Sequence, residues 1–262
     1  MIAIENVSVT FGANTPNETR ALRGLSLTIE TGQFVTVVGS NGSGKSTLLN
    51  SIAGEISIGS GVIRIDDVDV TKQPLHKRAR LVSRVFQDPL AGTCDVLTVE
   101  ENMAMALGRG QSRWLRPAVS NEHRIMFRKG LRDIGLDGRL SDKIGLLSGG
   151  QRQAISLTMA TLAPSRIMLL DEHTAALDPA ASEQILKQTA RVVESIKLTT
   201  LMITHSMRDA LAYGDRLIML HRGRLVLDVT GDEKTKLTVR DLLDMFGRIK
   251  GAAADEDRML LS

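Results

Sequence analysis

The 262-residue sequence predicts an α/β fold that carries a helical insertion, with antiparallel strands at its N-terminal end and again near its C-terminus. Three observations predict it. The first third alternates short apolar runs with turn signals; from about Pro89 to Leu147 the pattern becomes helical; and the remainder returns to alternating helix and strand.

The elements follow in order. Ile2–Val9, Leu25–Ile29 and Gln33–Val38 have strand character, the last almost entirely apolar and therefore central. Gly39–Thr47 is a glycine-rich loop that runs into a helix over Ser46–Gly54. Val62–Val70, with acids between apolar residues, predicts a pair of short antiparallel strands, and Val82–Phe86 a further strand. Thr98-Val-Glu-Glu101 has the form of a capping box, in which hydroxyl and carboxylate satisfy orphan N–H groups, opening a helix through Leu107. Helices are predicted over Asn121–Ile134, Gln151–Leu162 and Ala180–Lys197, with buried strands at Ile167–Leu170 and Thr199–Thr204. Arg216–Leu220 and Arg224–Val229 predict a hairpin about His221-Arg222-Gly223, and Thr238–Phe246 a last capped helix. The small and charged tail Gly251–Ser262 is expected to fray.

Bulk properties narrow the function classes. With 33 Lys+Arg against 30 Asp+Glu, the net charge of +3 is too small for a protein-wide nucleic-acid footprint. Most of that charge is local. Arg109–Arg132 contains seven Lys/Arg and one acid, Glu122, so the rest of the chain is net negative. That stretch is either a solvated helix face or a surface for a partner or anionic lipid headgroups. A single cysteine, Cys94, excludes an intrachain disulfide framework, fits a reducing compartment, and is expected to be inert. No apolar run approaches the ~20 residues of a membrane span, and no signal peptide is evident at the start, so a soluble, cytoplasmic chain is expected.

Three motifs carry chemistry. Gly39-Ser40-Asn41-Gly42-Ser43-Gly44-Lys45-Ser46-Thr47 satisfies GxxxxGK[ST], following an apolar strand and preceding a helix. In that context the backbone N–H groups of Gly42–Thr47 would face phosphate at the positive end of a helix dipole. Lys45 would neutralise β- and γ-oxygens, and the Ser46 hydroxyl would ligate Mg²⁺. Ile167-Met-Leu-Leu-Asp171-Glu172 is a buried strand ending in two acids. Asp171 could hold Mg²⁺ through water, and Glu172 could orient and polarise an attacking water. Leu147-Ser148-Gly149-Gly150-Gln151 opens a helix with two adjacent glycines. Ser148 alone would make an ordinary N-cap, but the glycines suggest a second anion-binding helix start, which a single phosphate loop does not need.

In their order and spacing these motifs resemble the ATP-binding subunit of an ABC transporter, over roughly residues 2–247. The resemblance implies a P-loop NTPase core with an antiparallel β subdomain and an inserted helical subdomain. Residues 1–247 would form the ATP-binding domain, with the helical part at about 88–162, and 248–262 a C-terminal tail. It implies ATP and Mg²⁺ as cofactors. Gln87 in Val-Phe-Gln-Asp-Pro matches the loop that touches Mg²⁺ or the water and senses the permease. Ala176-Leu177-Asp178 matches the D-loop, His205 the switch histidine at the γ-phosphate, and Phe11 is the candidate for stacking on adenine. Two copies would pair head to tail on ATP, with Leu147–Gln151 of one contacting ATP held by Lys45 of the other.

One departure is His173, where the family usually has proline after the glutamate. Its ring either tunes the neighbouring acid or is variation without consequence. The resemblance further implies a peripheral subunit at the cytoplasmic face of the membrane, joined to a transmembrane permease and, in an importer, an extracytoplasmic solute-binding protein, with no nucleic acid. Phe86–Thr93, Leu97–Asn102 and Asp171–Thr174 are similar to an importer subgroup associated with amino-acid-like permeases. Two alternatives stay open on the sequence: an exporter of lipid or lipoprotein cargo, and a non-transport ATPase acting on nucleic acid or ribosomes. The compact Gln87–Ser148 segment and the absence of a second cassette weigh against the latter.

Overall fold

A computed structural model describes residues 1–111 and 118–248. Two sheets organise it. The smaller is antiparallel, in the order β2-β1-β4-β5, from β1 (Ile2–Phe11), β2 (Thr19–Ile29), β4 (Ser60–Ile65) and β5 (Val68–Asp69). The larger has the order β10-β9-β3-β8-β7-β6. It consists of β3 (Phe34–Gly39), β6 (Val82–Val85), β7 (Ile167–Asp171), β8 (Thr199–Ile203), β9 (Arg216–His221) and β10 (Arg224–Thr230). Within it β9, β3, β8, β7 and β6 run parallel, and β10 closes one edge as the antiparallel half of the expected hairpin.

β1 and β2 extend further than the apolar alternation suggests. Their outer ends pair through Thr10↔Arg20 and Phe11↔Thr19, where polar residues on a solvated face hide the period. The insertion contains α3 (Val99–Leu107), α4 (Asn121–Arg132) and α5 (Gly149–Leu162); α1 (Lys45–Ala53) and α2 (Leu75–Arg78) precede it. After it come α6 (Pro179–Ile196), α7 (Met207–Ala212) and α8 (Gly231–Lys236), and residues 239–248 form a further helix, α9. The short α2, α7 and α8 were not anticipated, since two turns or fewer carry too little periodicity to register. The Thr98 capping box is present, as is the cap on α9, where Asp241 N–H donates to Thr238 Oγ1 and the Asp241 carboxylate accepts from Thr238 N–H.

Three apolar cores position the site. In the first, α1 is enclosed between the two sheets, with Leu48, Leu49 and Ile52 fully buried. The second lies on the opposite face of the larger sheet, where Leu157, Ala160, Leu186 and Val193 of α5 and α6 cover Met168, Leu170 and Met202. The third belongs to the insertion and is built from Val99, Met103, Phe127, Leu131, Ile155 and Met159.

Of the two readings of the basic segment, the solvated helix face holds only in part. Arg109 is largely buried against the end of α5, and burial pulls its pKa down. Arg124 is engaged by Glu100 at 2.8 Å, while Arg128, Lys129 and Arg132 stay exposed. Arg113, Arg116 and the tail Gly251–Ser262 lie outside the described residues.

Candidate functional site

Because β3, β8, β7 and β6 are parallel neighbours, the segments leaving their C-terminal ends emerge along one sheet edge. In that order they are Gly39–Thr47, His205, Asp171-Glu172 and Gln87. Register sets their height: Val37, Ile203 and Asp171 lie level across three strands, with Val85 beside Leu170. Four motifs spread over more than 160 positions of sequence thus meet at the kind of edge where open α/β sheets bind ligands.

The loop folds around its own lysine. Lys45 is 5% exposed and its Nζ donates to Gly39 O at 2.9 Å and Ser40 O at 3.1 Å. Burial lowers the Lys45 pKa, while Glu172 and Asp171 oppose that shift. Gly44 has φ +102°, and a Cβ there would lie 2.5 Å from Ala21 O, so no other residue fits between the loop and β2. Gly44 also caps α1 without a side chain, and no acid occupies the first turn, so the positive end of the helix is left for an external anion. Ser43 Oγ is buried in the same loop without a hydrogen-bond partner, and Ser46 is exposed on the first turn. Phe11, 43% exposed, pairs with Thr19 on β2, two residues before the Ala21 carbonyl that lies against Gly44.

Glu172 sits at φ +46°, a strained setting for a glutamate, pinned by its N–H to Ile203 O at 3.1 Å and its C=O to Ala175 N–H at 2.9 Å. His205 Nε2 lies 2.6 Å from Glu172 Oε1, and the two line a cavity of about 200 Å³ with Thr174, Thr204 and Asp209. Asp171 is held by Arg84, whose Nη2 donates to Oδ2 at 2.6 Å. Arg84 was not singled out from the sequence, although a charged residue amid Val-Ser-Arg-Val-Phe was a visible anomaly in a strand. Gln87 is exposed just past β6.

His173 does not face the acid next to it. It is 1% exposed, and its Nε2 meets Thr189 Oγ1 of α6 at 3.1 Å. That hydroxyl donates its only proton to Ile185 O, so Nε2 must be the donor and the ring a neutral Nε2–H tautomer. Burial pushes its pKa down to about 4. The ring is therefore a core hydrogen-bonding group, and of its two readings the tuning of Glu172 finds no contact to support it.

The Leu147–Gln151 motif lies elsewhere. α5 packs on α3, α4, α6 and β6, whereas α1 packs on β2, β3 and β7. Ser148 caps α5: its Oγ accepts from Gln151 N–H, and Gln151 Oε1 accepts from Ser148 N–H. The Ser148 hydroxyl thus keeps its own proton to donate to a ligand. Leu147, grouped with the ligand-contacting residues on sequence, has its side chain committed to the insertion core. Gly150 gains a structural reason that the sequence did not offer, since a Cβ there would lie 3.3 Å from the Ala181 Cβ of α6. Gly149 meets only an ordinary contact, to Leu177 at 3.6 Å. Asp178 caps α6, its Oδ1 accepting from Ala180 and Ala181 N–H.

The residues present suit Mg²⁺. Among the described residues no cluster of three or more His, Cys, Asp or Glu could hold a metal ion. A hydroxyl at a helix start, Ser46, and a carboxylate at the end of a parallel strand, Asp171, match a hard cation that takes most of its ligands from phosphate and water. Cys94 lies in a second cavity of about 450 Å³, between β6 and the insertion, lined by Phe86, Pro89, Met105 and Met159 among others.

Comparison with known proteins identifies relatives of the chain. The profile of the ABC transporter family matches residues 22–175. The chain is 46% identical over 252 residues to the tyrosine transport ATP-binding protein of Clostridioides difficile (strain R20291), covering 94% of this chain and 98% of that protein. It is 32% identical over 256 residues to the phosphonates import ATP-binding protein PhnC of Lactococcus lactis subsp. cremoris (strain SK11), covering 96% and 100%. Among solved structures, the dimeric post-hydrolysis state of the ATP-binding cassette MJ0796 bound to ADP and Pi superposes with TM-score 0.76. It has 28% identity and covers 88% of this chain and 98% of that one.

Proposed function

This chain belongs to the ABC transporter family, and from that premise we propose how its residues divide the work of an ATP-driven importer. The chain is an ATP-binding and ATP-hydrolysing subunit that powers solute import, with ATP and Mg²⁺ as cofactors. Residues 1–247 act as one cassette, with the helical part at about 88–162 inserted. The observation that carries the assignment of roles is the sheet edge itself, where the loop, His205, Asp171-Glu172 and Gln87 stand side by side above an unneutralised helix N-terminus.

Backbone N–H groups of Gly42–Thr47 hold the β- and γ-phosphates, and Lys45 turns from the loop carbonyls to the phosphate oxygens. Gly39, Ser40 and Asn41 shape the loop, and Phe11 stacks on adenine. Ser46 and Asp171, with Gln87, hold Mg²⁺, which when bound neutralises charge on the β- and γ-oxygens. Glu172 accepts a proton from the water that attacks the γ-phosphorus, and ADP leaves. His205 Nε2 lies against Glu172 Oε1. A γ-phosphate competes for His205 and frees that oxygen for water. Ser148–Gly150 of a second copy, whose Ser148 hydroxyl has a proton to donate, complete the phosphate contacts, with Asp178 at the seam.

Among the described residues no helix is long and apolar enough to cross a membrane. By its similarity to transport ATP-binding proteins, the subunit works with a permease that supplies the path, at the cytoplasmic face. The groove beyond Gln87, with Phe86, Pro89 and the half-exposed Met105, takes an apolar segment of that permease. Met105→Glu should abolish co-purification of the permease while ATP binding persists; undiminished co-purification would sink the groove assignment.

The cargo is an amino acid, and similarity to a tyrosine transport protein favours tyrosine. Selection falls to the permease and an extracytoplasmic binding protein. Co-purifying the permease and measuring ATP-dependent uptake into vesicles tests this. Uptake of tyrosine that is lost in Glu172→Gln is expected, and uptake of phosphonate or thiamine instead would overturn it.

A further inference from the structure

We propose that Arg84 is a positioning residue for the Asp171 carboxylate, tying it through Phe86 to the wall of the groove; this rests on the reading of Asp171 as a Mg²⁺ ligand. Arg84 stands on the edge strand β6 in register with Leu169 of β7, so its side chain rises along one sheet face to Asp171, two residues on. Its side chain is only 11% exposed, yet its charge meets three segments at once. Nη2 donates to Asp171 Oδ2 at 2.6 Å. Nη1 lies 2.7 Å from Glu55 Oε1, just past α1, as an ion pair without hydrogen-bond alignment. The guanidinium carbon sits 4.7 Å from the centre of the Phe86 ring. Phe86 and Arg84 both line the groove next to Gln87.

The physics follows from that placement. A lone carboxylate at a strand end would sample several rotamers, and a metal would have to freeze one of them. Arg84 holds Oδ2 and leaves Oδ1 free, so the freezing is done before the metal arrives. Two acids share the single guanidinium charge, so the cluster stays net negative and still attracts a cation. Stacking on Phe86 makes the position of the guanidinium depend on the groove wall, so a shift of that wall reaches Asp171 through one side chain. Lysine replaces it only in part, since an ammonium is a point charge without the planar guanidinium that holds Asp171 Oδ2 while keeping to the Phe86 ring.

The test is Mn²⁺ affinity of the full chain loaded with the non-hydrolysable analogue AMP-PNP, read from the free Mn²⁺ signal in electron paramagnetic resonance. Arg84→Met should weaken Mn²⁺ binding by about tenfold, and Arg84→Lys should restore only part of that. Phe86→Leu should weaken it by a smaller factor and add nothing in the Arg84→Met background. The Arg84→Met/Asp171→Asn double variant should bind no more weakly than Asp171→Asn alone. Unchanged or tighter Mn²⁺ binding by Arg84→Met, or additive effects, would overturn the proposal. Asp171→Asn with undiminished Mn²⁺ affinity would instead overturn the ligand reading beneath it. Should Arg84→Met fail to fold by circular dichroism, Arg84→Lys and Phe86→Leu carry the same comparison.

Discussion

At the residue scale, Glu172 bears a backbone cost that its chemistry must justify. A left-handed φ costs an L-residue roughly 1–2 kcal/mol, and Glu172 sits at +46°. Replacement by glycine should therefore leave the protein about 1 kcal/mol more stable than replacement by alanine, the reverse of the usual order, as read by thermal unfolding. An equal or lower stability for Glu172→Gly would show the conformation to be unstrained. His173 offers a second reading. Its pKa is lowered from 6.5 to about 4, so the buried ring is neutral where the unfolded chain binds a proton. The contribution is present above the unfolded value and is lost as pH falls from about 6.5 toward 4. Between pH 7 and pH 4.5 the wild type should lose about 2–3 kcal/mol from this group. His173→Gln, which keeps a donor near the Nε2 position, should lose correspondingly less in denaturant melts at the two pH values. The identities of Lys45, Glu172 and His205 as candidates were legible in sequence because motif spacing marks them. The partners of His173 and Arg84 were not, since Thr189 and Asp171 reach them only through packing.

Elements show how a helix end can be held by a residue far along the chain. The last turn of α1 leaves carbonyls without intrahelical partners. Arg78, 2% exposed, donates to Ser51 and Ile52 O there and to Thr71 and Gln73 O, at 2.5–3.1 Å. Arg78→Lys should cost about 2–3 kcal/mol, because an ammonium cannot satisfy four carbonyls in that spread and some stay buried and unpaired. The fall in melting temperature, roughly 2–4 °C per kcal/mol, measures it. An unchanged melting temperature would mean water takes over the task. Nothing in the local pattern of Leu75–Arg78 announces this role. By contrast the caps at Thr98, Ser148 and Thr238 were written in adjacent residues and formed as read. Gly150 is the instructive intermediate. As half of a glycine pair it suggested an anion site, and the structure adds the close approach of α6 as a second, independent demand.

For the whole molecule, the proposed phosphate contacts divide between the starts of α1 and α5, which pack on different elements, and under that reading the shared site takes two copies. Glu172→Gln should form an ATP-dependent dimer by light scattering while hydrolysis falls on the order of 10²–10⁴-fold, the range of a lost general base. A variant that stays monomeric with saturating ATP would count against the shared site. Lys45→Ala should lose nucleotide binding and with it any dimer. The sequence alone determined the fold class, the family resemblance and the motif residues, because apolar period, capping and glycine spacing are local and survive reading in one dimension. Tertiary structure decided what stands beside what. Parallel strand order and register brought Gly39, His205, Asp171 and Gln87 to one edge, turned His173 away from Glu172, and set Arg84 between Asp171 and Phe86, while packing of the insertion drew Arg109 against the end of α5. Those outcomes depend on contacts between residues distant in sequence, and only the folded chain creates them.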